Sequence, residues 1–83
     1  MFIVYILKSI KTARYYIGYT GDVVERLDAH NRGSVRSTKY FRPWKIIYTE
    51  EYFSRTEAIR REKEIKCYKG GNQFKQLLEL DKD

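Results

Sequence analysis

Five polar side chains sit on or beside faces that the hydrophobic pattern of the chain marks as buried: Tyr5, Tyr16, Arg26, His30 and Glu62. Two phenols, a guanidinium, an imidazole and a carboxylate are the groups that bind an anion, hold a cation or move a proton. Glu62 is the most telling. It shares the one apolar stripe of its segment with Ala58, Ile59 and Ile65, and burying even an uncharged polar group without a partner costs roughly 2–7 kcal/mol. An arginine, a hydroxyl network or a metal ion would offset that cost. Arg26 and His30 stand four residues apart at the edge of the stripe Val23-Leu27-His30, one above the other, where both could meet one ligand. Each group also has an ordinary reading. A strand tyrosine is commonly core, with its hydroxyl on a backbone partner. His30 fits a cation at a helix C-terminus or a satisfied buried histidine. Arg26 could pair with Glu25 or Asp28, and Glu62 with Lys66. Cys67 reads as an inert core or border thiol, and Gly70-Gly71 as a turn, since it lacks the lysine and spacing of a phosphate loop.

The elements that would position these groups follow from periodicity and punctuation. The run Phe2-Ile3-Val4-Tyr5-Ile6-Leu7 is continuously apolar and β-branched, as expected of a central strand covered on both faces. Arg14 to Thr20 predicts a second strand, joined to the first by a hairpin. A turn centred between Ile10 and Lys11 would set Tyr5 directly opposite Tyr16. Asp22 with Glu25 has the spacing of a capping box, so a helix is expected from Val23 to about Asn31, stopped by Gly33. Trp44 to Thr49 predicts a third strand closed by Glu50-Glu51. Ser54-Arg55-Thr56-Glu57 is a second capping box opening a helix through Lys66. Phe74, Leu77 and Leu78 mark a last helix that packs on the sheet. The expected fold is a small α/β (α+β) domain with a mainly antiparallel three-stranded sheet flanked by helices, in the order β-β-α-β-α-α, filling residues 1–83 as a single unit.

Length and charge narrow the partners. With 83 residues, 42% hydrophobic and 34% charged, the chain is too apolar for a disordered segment and too charged for a membrane protein. Its longest apolar run is a third of the roughly 20 residues a membrane span needs. A lone cysteine makes neither a disulfide nor a zinc site, which predicts a reducing, cytoplasmic setting. The formal charge is +6, and no acidic residue occurs from Ala29 to Thr49 while Arg32, Arg36, Lys39, Arg42 and Lys45 fall there. With Tyr40 and Phe41 interleaved, that stretch has cations for phosphates and rings for bases, the composition of a nucleic-acid surface.

The motif Ile3-Val4-Tyr5, ten residues, then Tyr16-Ile17-Gly18, with Arg26 ten residues after Tyr16 and a glutamate in a later helix, resembles the GIY-YIG nuclease domain over nearly the whole chain. Within that superfamily it is similar to the compact UPF0213 proteins and to the N-terminal domain of the bacterial excision nuclease, whose second conserved helix Ala58 to Lys66 resembles. The resemblance implies an endonuclease that cuts DNA phosphodiesters with one Mg2+ or Mn2+ ion, acting on branched or damaged structures in repair or recombination. It implies that Tyr5 activates water, Tyr16 orients it, Arg26 stabilises charge on the phosphorus centre and Glu62 holds the metal. His30 would bind phosphate or shuttle a proton, and Asn72 would lie near the scissile phosphate or cap the last helix. A phenol titrates near 10, so Tyr5 would serve as a base if Arg26 and the metal favoured its phenolate. Ile3 stands where the motif's first glycine would be. Two other readings are a nucleic-acid-binding module on the same fold without turnover and an interaction domain whose basic face meets an acidic protein, and a separate protein partner would supply targeting. No small-molecule cofactor is expected.

Overall fold

A computed structural model of the chain describes residues 1–68 and 71–80, and Gly70 of the expected Gly70-Gly71 break lies outside them. Strand β1 (Phe2–Ser9) is flanked by β2 (Tyr15–Thr20) and β3 (Trp44–Tyr52) in an antiparallel sheet of order β2-β1-β3. Helix α1 (Val23–Asn31) follows β2, and α2 (Arg55–Lys66) and α3 (Asn72–Leu80) follow β3. The order is the expected β-β-α-β-α-α, with one short 3-10 turn, Lys39–Phe41, inside the basic stretch.

β1 is apolar on both faces because both are covered. Val4 and Ile6 pack with Ala58 and Ile65 of α2 and with Phe74 and Leu77 of α3, while Tyr5 and Leu7 pack with Trp44 against Val23 and Leu27 of α1. The second cluster holds the candidate residue Tyr5, with Tyr16 packed against it. β3 continues past the expected stop at Glu50-Glu51 to Tyr52. Glu50 accepts hydrogen bonds from the Tyr48 and Tyr52 hydroxyls and from Arg61 Nε and Nη2 at 2.8 and 3.0 Å. Burial raises the Glu50 carboxyl, but the bonds from Arg61, Tyr48 and Tyr52 and the Arg61 charge outweigh it and hold the group below its usual value. This forked pair fixes how α2 is rotated against the sheet, and so which way its other residues face.

The hairpin register differs from the expectation by two residues. Tyr5 stands opposite Gly18 and Leu7 opposite Tyr16. The strand extends further into the turn than the polar composition indicates, because Ser9 is buried and its hydroxyl accepts from the Lys11 and Thr12 backbone amides at 3.1 and 3.0 Å. A shift of two keeps every side chain on its face, so the two phenols remain diagonal neighbours, ring centroids 6.3 Å apart. Both helix starts form as the spacing requires: Asp22 accepts from the Glu25 amide at 3.1 Å and Ser54 from the Glu57 amide at 3.2 Å. α1 ends before Gly33, whose φ of 85° admits no side chain without strain. Cys67, expected in the core or at its border, is exposed at the end of α2. No helix among the described residues is long and apolar enough to cross a membrane.

Candidate active site

Tyr5 is the centre of the candidate site. It is buried, on the α1 side of β1. Its hydroxyl lies 3.0 Å from His30 Nε2, and the Tyr16 ring stacks obliquely on the imidazole with centroids 4.7 Å apart. The Arg26 guanidinium, one turn before His30 on α1, acts on Tyr5 first and also on Tyr16. Glu62, on α2, is mostly enclosed, and its charge is the weakest of the influences that raise the Tyr5 phenol. The strand pair thus supplies both phenols, α1 the guanidinium and imidazole, and α2 the carboxylate.

Electrostatics distinguish these groups. Burial raises the Tyr5 phenol above its usual 10, opposed by hydrogen bonding and charge from Arg26 and reinforced by Tyr16 and Glu62. Of the two charges expected to favour its phenolate, Arg26 alone does not outweigh desolvation by the core, and the metal would have to supply the rest. Burial and then the Arg26 charge lower His30 to about 4, which makes it a neutral imidazole at physiological pH and not the helix-end cation that its position allows. It is fully buried, with Nδ1 2.8 Å from the Thr38 hydroxyl, so both ring nitrogens are occupied within the protein and neither is free for a phosphate. His30 is the one histidine of the chain. Between pH 6.5 and 4 the unfolded chain takes up a proton there that the folded chain does not, so stability rises with pH through this window, by on the order of a few kcal/mol. Urea unfolding at stepped pH checks this, and a flat profile from pH 6.5 to 4.5 would contradict the neutral imidazole.

Gly18 lies against both phenols of the candidate site and carries no side-chain chemistry to announce it. A Cβ on it would stand 2.7 Å from the Tyr5 hydroxyl oxygen and 3.1 Å from Tyr16 Cε2. The strand needs a glycine there so that the Tyr5 hydroxyl can pass over the β2 backbone; glycine inside a strand is the signal by which such close approach is read. Gly18→Ala is expected to push the Tyr5 hydroxyl off its position and to lower activity by about 10²-fold, the scale of a 1 Å misplacement. Activity close to wild type would show that the hydroxyl is not used.

Glu62 has a side chain only 15% exposed, with Lys66 Nζ 3.6 Å from one oxygen. Glu64, two residues on, is exposed and pairs with Arg61. Among the described residues no group of three or more His, Cys, Asp and Glu gathers to hold a metal. The donor set fits a hard ion such as Mg2+, which takes one or two carboxylates and fills its other positions with water and phosphate oxygens, and does not fit a zinc-like cage.

The basic stretch borders this centre through Thr38, whose hydroxyl lies against His30. Lys39 Nζ lies 5.0 Å from the Tyr40 ring, and Tyr40 is 73% exposed. Arg36 and Arg42 are exposed as well, the latter passing its guanidinium across Gly33. Arg32 instead bonds Asp28 and, at 3.4 Å, Glu25, which also occupies the two carboxylates that Arg26 could have paired with. Asn72 is exposed as the first residue of α3.

Comparison with known proteins agrees with the motifs. The profile of the GIY-YIG catalytic domain matches residues 1–75. UPF0213 proteins of Staphylococcus aureus strains N315 and Mu50 are 44% identical over 66 residues, covering 78% of this chain and 79% of theirs. The solution structure of the UPF0213 protein BH0048 from Bacillus halodurans is 33% identical and superimposes with a TM-score of 0.60 over 96% of this chain and 85% of that one. The spacing of the two strand motifs, the arginine and the glutamate, the three-stranded sheet and these relatives agree, and the chain belongs to the GIY-YIG nuclease family, in its UPF0213 group.

Proposed function

We propose that the protein is a divalent-metal-dependent endonuclease that hydrolyses DNA phosphodiester bonds at the centre formed by Tyr5, Tyr16, Arg26, His30 and Glu62. The observation that carries this reading is the buried contact of the Tyr5 hydroxyl with His30 Nε2 at 3.0 Å, with the Arg26 guanidinium acting on both groups. A raised phenol is a poor base by itself. Coupled to an imidazole, it takes a proton from the attacking water on its oxygen while its own proton passes to His30 Nε2, so no free phenolate is required. Arg26 faces the charge that grows on the phosphoryl oxygens, and Tyr16 orients the water. Glu62 would hold Mg2+ or Mn2+, and such an ion supplies charge stabilisation for the leaving oxygen.

Substrate contact is assigned to the basic stretch, with Arg36, Lys39, Tyr40 and Arg42 meeting the backbone and Arg32 and Asn72 at its margins. A domain this small has little surface for reading bases, so recognition by shape is favoured over sequence, with repair or recombination intermediates as candidate targets. Lys39→Ala and Arg42→Ala are each expected to weaken association with all sequences alike and to reduce the salt slope by about one. Unchanged slopes would remove the stretch from the interface. The activity itself is tested by incubating the protein with labelled duplex, nicked, flapped and branched DNAs with and without Mg2+ or Mn2+, beside the Glu62→Ala protein. Cutting that needs the metal and is lost in the variant supports the reading; binding without cutting on every substrate would leave a non-catalytic binding module.

A further inference from the structure

We propose that Thr38 is a positioning residue that fixes the tautomer of His30, placing the imidazole proton on Nδ1 and leaving Nε2 as the acceptor for Tyr5. The inference deepens the nuclease reading above and rests on it for its consequence, but not for its geometry.

Thr38 is 1% exposed although it lies in a polar loop. Its backbone is held from two sides: its amide donates to the Val35 carbonyl at 3.1 Å, and its carbonyl accepts from the Trp44 indole at 3.0 Å. Trp44 is itself tied to α1, where the Asn31 side chain bonds its amide and its carbonyl at 2.6 and 3.0 Å. The hydroxyl therefore has one place to be, 2.8 Å from His30 Nδ1 and 3.3 Å from the Val35 carbonyl oxygen.

The hydrogens can then be assigned by elimination. Arg26 offers donors only, so the proton of a neutral Tyr5 phenol cannot go there, and among the described residues its hydrogen-bond partner is His30 Nε2. Nε2 must carry a lone pair. A neutral imidazole then has its hydrogen on Nδ1, which donates to Thr38 Oγ1, and the Thr38 hydroxyl donates onward to Val35. Every buried hydrogen of the chain Tyr5-His30-Thr38-Val35 has an acceptor. With the opposite tautomer, Nε2–H and Arg26 would both point donors at the Tyr5 oxygen, and the phenol hydrogen would have no acceptor. An unsatisfied buried donor is costly. Thr38 holds the same form from the other side, because its own hydrogen is directed at the Val35 carbonyl and its oxygen is left to accept from Nδ1–H, as partners behind a functional histidine do generally.

The test is nitrogen-15 NMR of the single histidine side chain in the isolated protein at pH 7, with no DNA or metal. Wild type is expected to show a protonated Nδ1 and a bare Nε2. Thr38→Val, which keeps the shape and removes the hydroxyl, is expected to shift the ring toward Nε2–H and to slow single-turnover cleavage on the order of 10²-fold, with DNA affinity in calcium unchanged. Thr38→Ser should restore both. A wild-type ring protonated on Nε2, or a Thr38→Val ring indistinguishable from wild type, would overturn the proposal. If Thr38→Val fails to fold, Thr38→Ala takes its place: a ring shifted toward Nε2–H supports the proposal, and one indistinguishable from wild type overturns it. Absence of cleavage by the wild type would count against the nuclease reading alone, because the nitrogen shifts report the tautomer without turnover.

Discussion

Glu62→Ala should leave a folded protein that binds DNA and no longer cuts it. Its side chain is mostly enclosed, and among the described residues its ion-pair partner is Lys66 at 3.6 Å, itself half exposed. An i,i+4 pair of that kind contributes about 0.3–0.5 kcal/mol to stability. Thermal unfolding is therefore expected to move little. Removing the carboxylate that would hold the divalent ion takes away charge stabilisation worth several kcal/mol, which corresponds to about 10³-fold or more in rate. Association with DNA in the absence of metal should be unchanged or slightly stronger, since one negative charge is gone from a face that meets phosphates. Glu62→Gln keeps the volume and should fail equally, which separates loss of the ligand from loss of packing. Mn2+ binding followed by electron paramagnetic resonance supplies a readout that does not depend on turnover. Full cutting by either variant would remove Glu62 from the site.

Arg26→Ala should depress cleavage far more than affinity. A guanidinium aimed at charge that develops on the phosphoryl oxygens helps the transition state more than the bound substrate. Loss of one such preorganised donor costs on the order of 10²–10³ in rate, whereas one phosphate contact among several weakens binding modestly. Arg26→Lys should recover little, because an ammonium cannot present two parallel donors at once. The packing sharpens the expectation. Glu25 and Asp28 are engaged by Arg32, so Arg26 is not part of that surface network, and it acts instead on Tyr5, Tyr16 and His30. Its charge is one of the two causes that lower His30 to about 4. Arg26→Ala should accordingly raise the His30 midpoint, observable by NMR titration without substrate. Single-turnover rates at saturating protein, with affinity measured separately in calcium, test the kinetic half. Near-wild-type rates with an unmoved His30 would return Arg26 to the surface.

The elements of this domain were legible because their causes are local. A doubly apolar β1 needs cover on both faces, two capping boxes start α1 and α2 where serine or aspartate precedes glutamate by three, and Gly33 supplies the left-handed residue that ends α1. The five candidate residues are equally readable, since two strand motifs, an arginine at fixed spacing and a carboxylate in an apolar stripe are properties of the chain in one dimension. The hairpin register is not, because it depends on how far the buried Ser9 hydroxyl draws the strand into its turn. The end of β3 is hidden for a related reason: Glu50 reads as a polar stop until Arg61, eleven residues away, is folded against it. Only the tertiary structure decided the protonation states. Whether Tyr5 rests as a phenol and His30 as a neutral imidazole depends on desolvation by residues from three elements and on one guanidinium charge. No spacing encodes that, because burial is a property of the packed chain and the pattern gives only its direction. Gly18 and Thr38 belong to the same class. One matters for an atom it lacks and the other for a hydroxyl in an irregular loop, and each acquires its role only when Tyr5 and His30 are brought against it.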